Sequence, residues 1–186
     1  MAAEVIRAIQ AHGLQLEPQL ASHAEQMYAV LCDPAIYEHE NEPPESFEWL
    51  RERFTKLETR ESADGTERWL NWVIRLPSSE LVGYVQATIH AGGEASIAYV
   101  LASAYWGQGL ARRAVEAMMT ELATSHQVGE FYAVLKACNA RSLGLLRRLG
   151  FVPAAPAEHP VDGVEFDEIL MKFAIRNQAT ASRPQR

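Results

Sequence analysis

The sequence predicts an α+β domain, one mixed sheet with helices on its faces. Three observations predict it. The chain has 186 residues, 48% hydrophobic and 22% charged, the size and balance of a single globular domain. Three strand-like runs between residues 69 and 101 are joined by short turns, the pattern of an antiparallel meander. Beyond them the pattern becomes strand, glycine loop, helix, strand, a crossover that makes part of the sheet parallel.

Residues 1–12 read as a weakly amphipathic lead-in. Leu14 and Leu16 alternate with Gln15 and Glu17, a short strand that Pro18 stops. Ser22 followed by Glu25 has capping-box spacing and starts a helix through Met27, Val30 and Leu31, ended by Asp33-Pro34. Residues 35–44, with Tyr37, His39, Glu40, Asn41, Glu42 and two prolines, read as a loop. Ser46 caps the next helix, from Phe47 to about Glu58, with Phe47, Leu50, Phe54 and Leu57 on one face.

The strands follow. Trp69 to Leu76, Leu81 to Ile89 and Ala95 to Leu101 are separated by Pro77-Ser78-Ser79-Glu80 and Ala91-Gly92-Gly93-Glu94. In the second, Leu81, Gly83, Val85, Ala87 and Ile89 share one face; Tyr84, Gln86, Thr88 and His90 share the other. Trp106-Gly107-Gln108-Gly109 opens a helix to about His126, with Ala111, Val115, Met118 and Leu122 as its apolar stripe. Glu130 to Leu135 is a buried strand. Asn139 caps a short helix with Leu143, Leu146 and Leu149 inward, ended by Gly150. Residues 152–163 form a long loop, and Val164 to Ile175 is the last strand. The domain then spans 13–176, with a lead-in at 1–12 and a polar, disordered tail at 177–186.

Composition excludes several functions. Seventeen basic against 24 acidic residues give a net charge of −7, which does not favour nucleic acid or anionic lipid and tolerates cationic acceptors. No apolar run approaches the roughly 18 residues of a membrane span, and the start lacks a secretory pattern, so a cytoplasmic location is expected. Cys32 and Cys138 form neither a zinc spacing nor a disulfide framework, and read as buried or half-buried thiols.

The chemistry concentrates in residues 99–114. A strand enters a glycine loop, and the loop enters a helix N-terminus, whose unpaired N–H groups and positive dipole end bind phosphates. Gly107 and Gly109 allow close backbone approach, and Arg112 and Arg113 stand in the first helical turn. The alternative is a glycine turn that only starts a helix. A P-loop ending and a three-glycine dinucleotide fingerprint are both missing, which disfavours ATP and NAD.

The same stretch resembles motif A of the GNAT superfamily of N-acetyltransferases, Gln/Arg-x-x-Gly-x-Gly/Ala. Gly109 and Ala111 fit its last two specified positions, and Trp106 departs from the first. Tyr105-Trp-Gly-Gln-Gly-Leu-Ala111 is similar to the RimJ/RimL-like branch. Asp33-Pro34 with Tyr37 and Glu42-Pro43-Pro44, Cys138-Asn139-Ala140-Arg141-Ser142 followed by Leu149-Gly150-Phe151, and Asp167 to Met171 resemble other parts of that branch in order. The resemblance covers about Leu14 to Ile175.

It implies a mostly antiparallel central sheet, splayed at an acetyl-coenzyme A cleft, with helices on both faces and no metal. Backbone groups of Val100, Leu101 and Ala102 would pair with the pantetheine amides. Trp106, Gly107, Gln108, Gly109, Leu110, Ala111 and Arg112 would form the pyrophosphate loop. Asn139 would face the pantetheine or thioester, or serve purely as a helix cap. The implied reaction is acetyl transfer to a primary amine by direct attack in a ternary complex. The acceptor is a protein N-terminus or a small amine. The usual tyrosine proton donor falls on Leu146, which leaves Ser142 as the candidate donor and raises the alternative of a non-catalytic acyl-coenzyme A-binding module. Glu42, Gln86 and His90 are candidates for the acceptor side, with Glu40 beside Glu42; each also reads as a solvated polar residue. Trp69, Trp72 and Phe47 could shape an acceptor pocket or belong to the core. A second copy of the chain could pair with the last strand.

Overall fold

The computed structural model describes residues 6–39, 41–160 and 163–175. Eight strands form one sheet in the order β1-β2-β3-β4-β5-β6-β8-β7. They are β1 Ile9–Ala11, β2 Leu14–Pro18, β3 Arg68–Arg75, β4 Leu81–Ile89, β5 Ala95–Leu101, β6 Glu130–Lys136, β7 Val152–Pro153 and β8 Glu168–Ala174. The helices are α1 Ala24–Leu31, α2 Phe47–Leu57, α3 Leu110–Ser125 and α4 Ala140–Arg148. Neighbouring strands are antiparallel except β5 and β6. The α+β mixed sheet with helices on both faces is the expected architecture.

Two apolar clusters cover the faces. On one, Leu70, Trp72 and Ile74 of β3 and Val82 and Val85 of β4 pack with Ala114, Val115, Met118 and Leu122 of α3 and Leu146 of α4. On the other, Val73 and Leu81 pack with Ala24, Met27 and Leu31 of α1 and Leu50 and Phe54 of α2. Each large side chain fully buried here contributes about 1.5–3 kcal/mol. Ser46 caps α2 as its sequence implies, its Oγ accepting from Trp49 N at 3.0 Å.

Several expectations are corrected. Residues 9–11 are not lead-in: they pair with β2 as a hairpin, so the sheet starts before residue 13. Ser22 caps nothing. It lies inside a 3-10 turn, Ala21–His23, where Leu20 N donates to His23 Nδ1 and Ala21 N donates to the Glu58 carboxylate. The chain turns toward α1 earlier than the capping-box spacing implies, and side-chain acceptors meet the N–H groups of Leu20 and Ala21 instead. Leu81 joins the Tyr84 face because the β3–β4 register slips between Ile74 and Arg75. Trp72 is wholly buried in the α3-side core, so it shapes no acceptor pocket. Both cysteines are free and exposed: Cys32 follows the last turn of α1, and Cys138 sits in the loop after β6. The last strand starts at Glu168 rather than Val164. The proposed tail, 177–186, and Glu40 lie outside the described residues. Among the described residues no helix is long and apolar enough to cross a membrane, and no group of side chains could hold a metal ion.

Gly83 of β4 lies directly against the β5 backbone. A Cβ there would stand 2.0 Å from Val100 O and 2.9 Å from Leu101 Cα, both backbone atoms that cannot swing aside. Gly83→Ala is expected to destabilise the fold by about 1–3 kcal/mol, the range for overpacking. Urea denaturation of the variant beside the native chain checks this, and equal midpoints would contradict it.

Candidate active site

β5 and β6 pair at two positions only, Ala95 with Phe131 and Ser96 with Tyr132. Beyond them the strands separate, although β5 stays paired with β4 through Leu101 and β6 with β8 through Lys136. A cavity of about 930 Å³ occupies the divergence. Ala98 and Val100 of β5 and Val134 of β6 line its waist. It opens on the α3–α4 side between the glycine loop and α4, and on the α1–α2 side beneath the 35–44 loop and α2.

The glycine loop forms one wall. Gly107 has φ 75° and Gly109, the residue before α3, has φ 73°, both left-handed. A Cβ at either would meet nothing within 4 Å, so glycine is required there for conformation rather than space. Gly107, Gly109, Leu110, Ala111 and Arg112 all line the cavity, so the N-terminus of α3 faces it. Arg113 does not join Arg112: it donates to His12 O at 2.7 Å, on the β1–β2 turn. Gln108 donates to Ala104 O at 3.2 Å and lies outside the lining.

Val100, Leu101 and Ala102 are not equivalent. Ala102 N donates to Val82 O at 2.8 Å, toward β4. Backbone groups alternate along a strand, so those of Val100 also turn to β4, and those of Leu101 and Tyr99 turn to the divergence. Leu101 O is already taken, accepting from Trp106 Nε1 at 2.7 Å. Trp106 therefore fastens the loop to the end of β5. The Arg141 guanidinium of α4 lies over its ring at 3.6 Å from the centroid, a cation–π contact across the cavity mouth.

A second bridge crosses deeper. Tyr99 Oη and Ser142 Oγ share a 2.6 Å hydrogen bond, joining β5 to α4. Asn139 Oδ1 accepts from Ser142 N at 3.0 Å, so Asn139 is a helix cap that also lines the cavity. Leu146 is 1% exposed, a core residue that closes the same wall. Tyr99 is a residue that the sequence reading missed. Its neighbours drew attention as backbone partners, and no local spacing reveals a contact between residues 43 positions apart.

On the α1–α2 side, Glu42 and Gln86 line the cavity, and Glu42 is its one carboxylate among the described residues. Trp49 also lines it; Trp69 and Phe47 do not. Tyr37 lines it too, donating to Leu31 O at 2.7 Å, and burial pushes its pKa up to about 12, so the phenol stays neutral. His90 is elsewhere: its Nε2 contacts Ser96 Oγ at 2.8 Å and its Nδ1 faces Glu67 at 3.7 Å, at the closed end of the β5–β6 pair. Of the residues predicted for catalysis, the coenzyme and the acceptor, Ala102, Gln108 and His90 fall outside the cavity lining, as do the aromatic candidates Trp69, Trp72 and Phe47.

The chain matches the acetyltransferase (GNAT) domain family over residues 14–152. Its fold is similar to that of solved acetyltransferases. One is RimL, a ribosomal L7/L12 α-N-protein acetyltransferase in complex with coenzyme A: TM-score 0.75, 20% identity, 91% of this chain and 98% of that one. Another is a chimera of the spermidine N-acetyltransferase SpeG from Vibrio cholerae and hSSAT: TM-score 0.70, 22% identity, 87% and 95%. A third is MccE, a microcin C7 self-immunity acetyltransferase in complex with acetyl-CoA and AMP: TM-score 0.72, 19% identity, 88% and 93%.

The two mouths share a joint at Asp33. Its carboxylate accepts from Ser103 N at 2.8 Å and Ala35 N at 3.0 Å, tying the 35–44 loop to the turn before the glycine loop. Hydrogen bonds from Ser103, side chain first and backbone second, hold its pKa below the usual carboxylate value. A depressed pKa contributes stability above the unfolded-state value and loses it as pH falls through the folded one, so the loss lies below about pH 4. Asp33→Asn is expected to flatten this acid limb of the stability profile. Urea melts across that range check it, and an unchanged limb would contradict it.

Proposed function

The chain belongs to the acetyltransferase (GNAT) domain family, and from that premise we propose that it moves the acetyl group of acetyl-coenzyme A to a primary amine by direct attack, both reactants being bound together. The observation that carries this is the divergence of β5 from β6 after two residue pairs, with the N-terminus of α3 at one mouth. A long flexible thioester fits such a gap: exposed strand edge for its amides, unpaired helix N–H groups for its phosphates. The structures of RimL with coenzyme A and of MccE with acetyl-CoA support the assignment.

When bound, acetyl-coenzyme A supplies an activated carbonyl and a thiolate leaving group. The residues of this chain do the rest. Backbone N–H groups on the open side of β5, at Tyr99 and Leu101, are placed to bind carbonyl oxygens, including the one on which negative charge develops. The N-terminus of α3, from Leu110 to Arg112, holds the phosphates. On the opposite side Glu42 accepts a proton from the acceptor ammonium, directly or through water, because only the neutral amine attacks. As the C–N bond forms and the C–S bond breaks, the Ser142 hydroxyl gives its proton to the sulfur, and the proton that the new amide nitrogen sheds returns through water to the Ser142–Tyr99 pair. The Tyr99 phenol, 2.6 Å from Ser142 Oγ, orients that hydroxyl and can replace its proton. Leu146 offers no proton, so this pair stands in for the tyrosine of other family members.

Incubation with acetyl-coenzyme A and a panel of peptides, polyamines, amino acids and aminoglycosides, read by mass spectrometry, tests the reading. Acetylated product is expected. Binding of acetyl-coenzyme A without turnover of any amine would instead favour a non-catalytic acyl-coenzyme A-binding module. Ser142→Ala and Tyr99→Phe are expected to lower kcat about 10²-fold and severalfold, respectively, with little change in KM for acetyl-coenzyme A. Gly109→Val, which forces a β-branched residue into left-handed backbone, is expected to weaken acetyl-coenzyme A binding in calorimetry. Unchanged affinity would remove the loop from the site.

A further inference from the structure

A second cavity, of about 240 Å³, adjoins the first between α2 and the sheet and shares Arg53, Leu57 and Gln86 with it. The two form one run of space beneath α2. The walls of the smaller cavity are distinctive in charge. Arg53 and Lys56 come from successive turns of α2, and Asn71, Gln86 and Thr88 from β3 and β4, with the Trp69 ring beside them. Among the described residues no carboxylate lines it. The neighbouring Glu67 is engaged, accepting from Trp69 Nε1 at 3.0 Å and facing His90. Arg53 and Lys56 make no ion pair among the described residues; they lie over the rings of Trp49 and Trp69, at 5.6 and 5.9 Å.

Asn71 of the floor, and Gln19 and Arg60 linked to it, carry donors that are unmet among the described residues. Asn71 is 3% exposed and its Nδ2 has no hydrogen-bond partner. Next to it, Gln19 N donates to Asn71 O at 2.9 Å, and Gln19 Nε2 is also without a partner. Arg60, 8% exposed, donates from Nη2 to Gln19 O at 2.6 Å and leaves Nη1 unmet. A buried guanidinium that feels Glu58 only at a distance and makes no ion pair among the described residues, and two buried carboxamides with idle N–H groups, are costly unless something else supplies acceptors. Arg60 also holds a left-handed φ of 64°, which favours glycine, so the side chain is kept at a conformational cost.

These observations select among acceptors. A polyamine brings only positive charge and N–H donors, and would meet cations and donors. A peptide brings carbonyl oxygens, and an acidic one brings carboxylates. We propose that the groove beneath α2 holds the residues following the reactive amine, and that the acceptor is the N-terminus of an acidic peptide. Glu42 then faces its ammonium in the larger cavity, while Arg53 and Lys56 take its carboxylates and Asn71 its backbone carbonyls. The overall net charge of −7 is compatible with cationic acceptors; the charged side chains lining the smaller cavity, Arg53 and Lys56, have the opposite sign. The proposal rests on the acetyltransferase reading.

The test compares kcat/KM, with saturating acetyl-coenzyme A, for three peptides of equal length beginning with serine and continuing with acidic, amide or lysine residues, and for spermidine. The acidic peptide is expected to exceed the lysine peptide by about ten-fold or more, the scale of two partly desolvated charge contacts. The double variant Arg53→Ala, Lys56→Ala is expected to bring the acidic peptide down to the amide peptide while acetyl-coenzyme A affinity in calorimetry stays unchanged. Arg53→Glu with Lys56→Glu is expected to invert the order. Equal use of all three peptides, a preference for spermidine, or an acidic preference that survives the alanine variant would each overturn the proposal while leaving the acetyltransferase reading intact. A native chain that fails to bind acetyl-coenzyme A would remove both.

Discussion

The structure depends on the early end of one parallel pairing. β5 and β6 share two residue pairs and then part, while each keeps its antiparallel partner on the outer side. A sheet interrupted in this way has exposed backbone groups at its centre, which water or a ligand must satisfy. The residues around the gap compensate without closing it. Trp106 reaches back to Leu101 O, Arg141 covers Trp106, and Tyr99 meets Ser142. All three contacts bind the β5 side; two of them end on α4, so that helix serves as the brace of the opening.

The place where this chain departs from its family pattern then acquires a physical reason. Trp106 stands where the motif has glutamine or arginine. Its indole N–H anchors the loop to β5, and its ring gives Arg141 a surface on which to rest. The backbone amides of the loop and the dipole of α3 remain available to phosphate, because neither depends on the side chain at residue 106.

The strands, the helices and the glycine loop were legible in the sequence because their signals are local: period-two alternation, an N-cap serine before an apolar stripe, two glycines before a helix. The outlines of β4 and β5 and the caps at Ser46 and Asn139 follow directly. What the sequence hid was relational. The hairpin at Ile9–Ala11 is too short to show a period, and the entry to α1 is held by Glu58, which accepts from Ala21 N and is brought near by folding. The slip in the β3–β4 register moved Leu81 to the other face, which alternation alone cannot foresee. In the site, the glycine loop and Ser142 could be read from a motif. Tyr99 and the cluster of Gln19, Arg60 and Asn71 could not, since their meaning lies in contacts between distant segments. Net charge says little about a single groove, because it averages over surfaces that a ligand never meets together.

The cavity passes through the sheet rather than lying on it. On the proposed reading the thioester enters from the α3–α4 face and the amine from the α1–α2 face, and they meet at the waist between Ala98, Val100 and Val134. Neither reactant lies in the other's path, so neither must arrive or leave first. The sheet becomes a partition with a single window: coenzyme traffic on one side, acceptor traffic on the other. Loops on the acceptor side can therefore diverge freely among relatives without disturbing how the coenzyme is held.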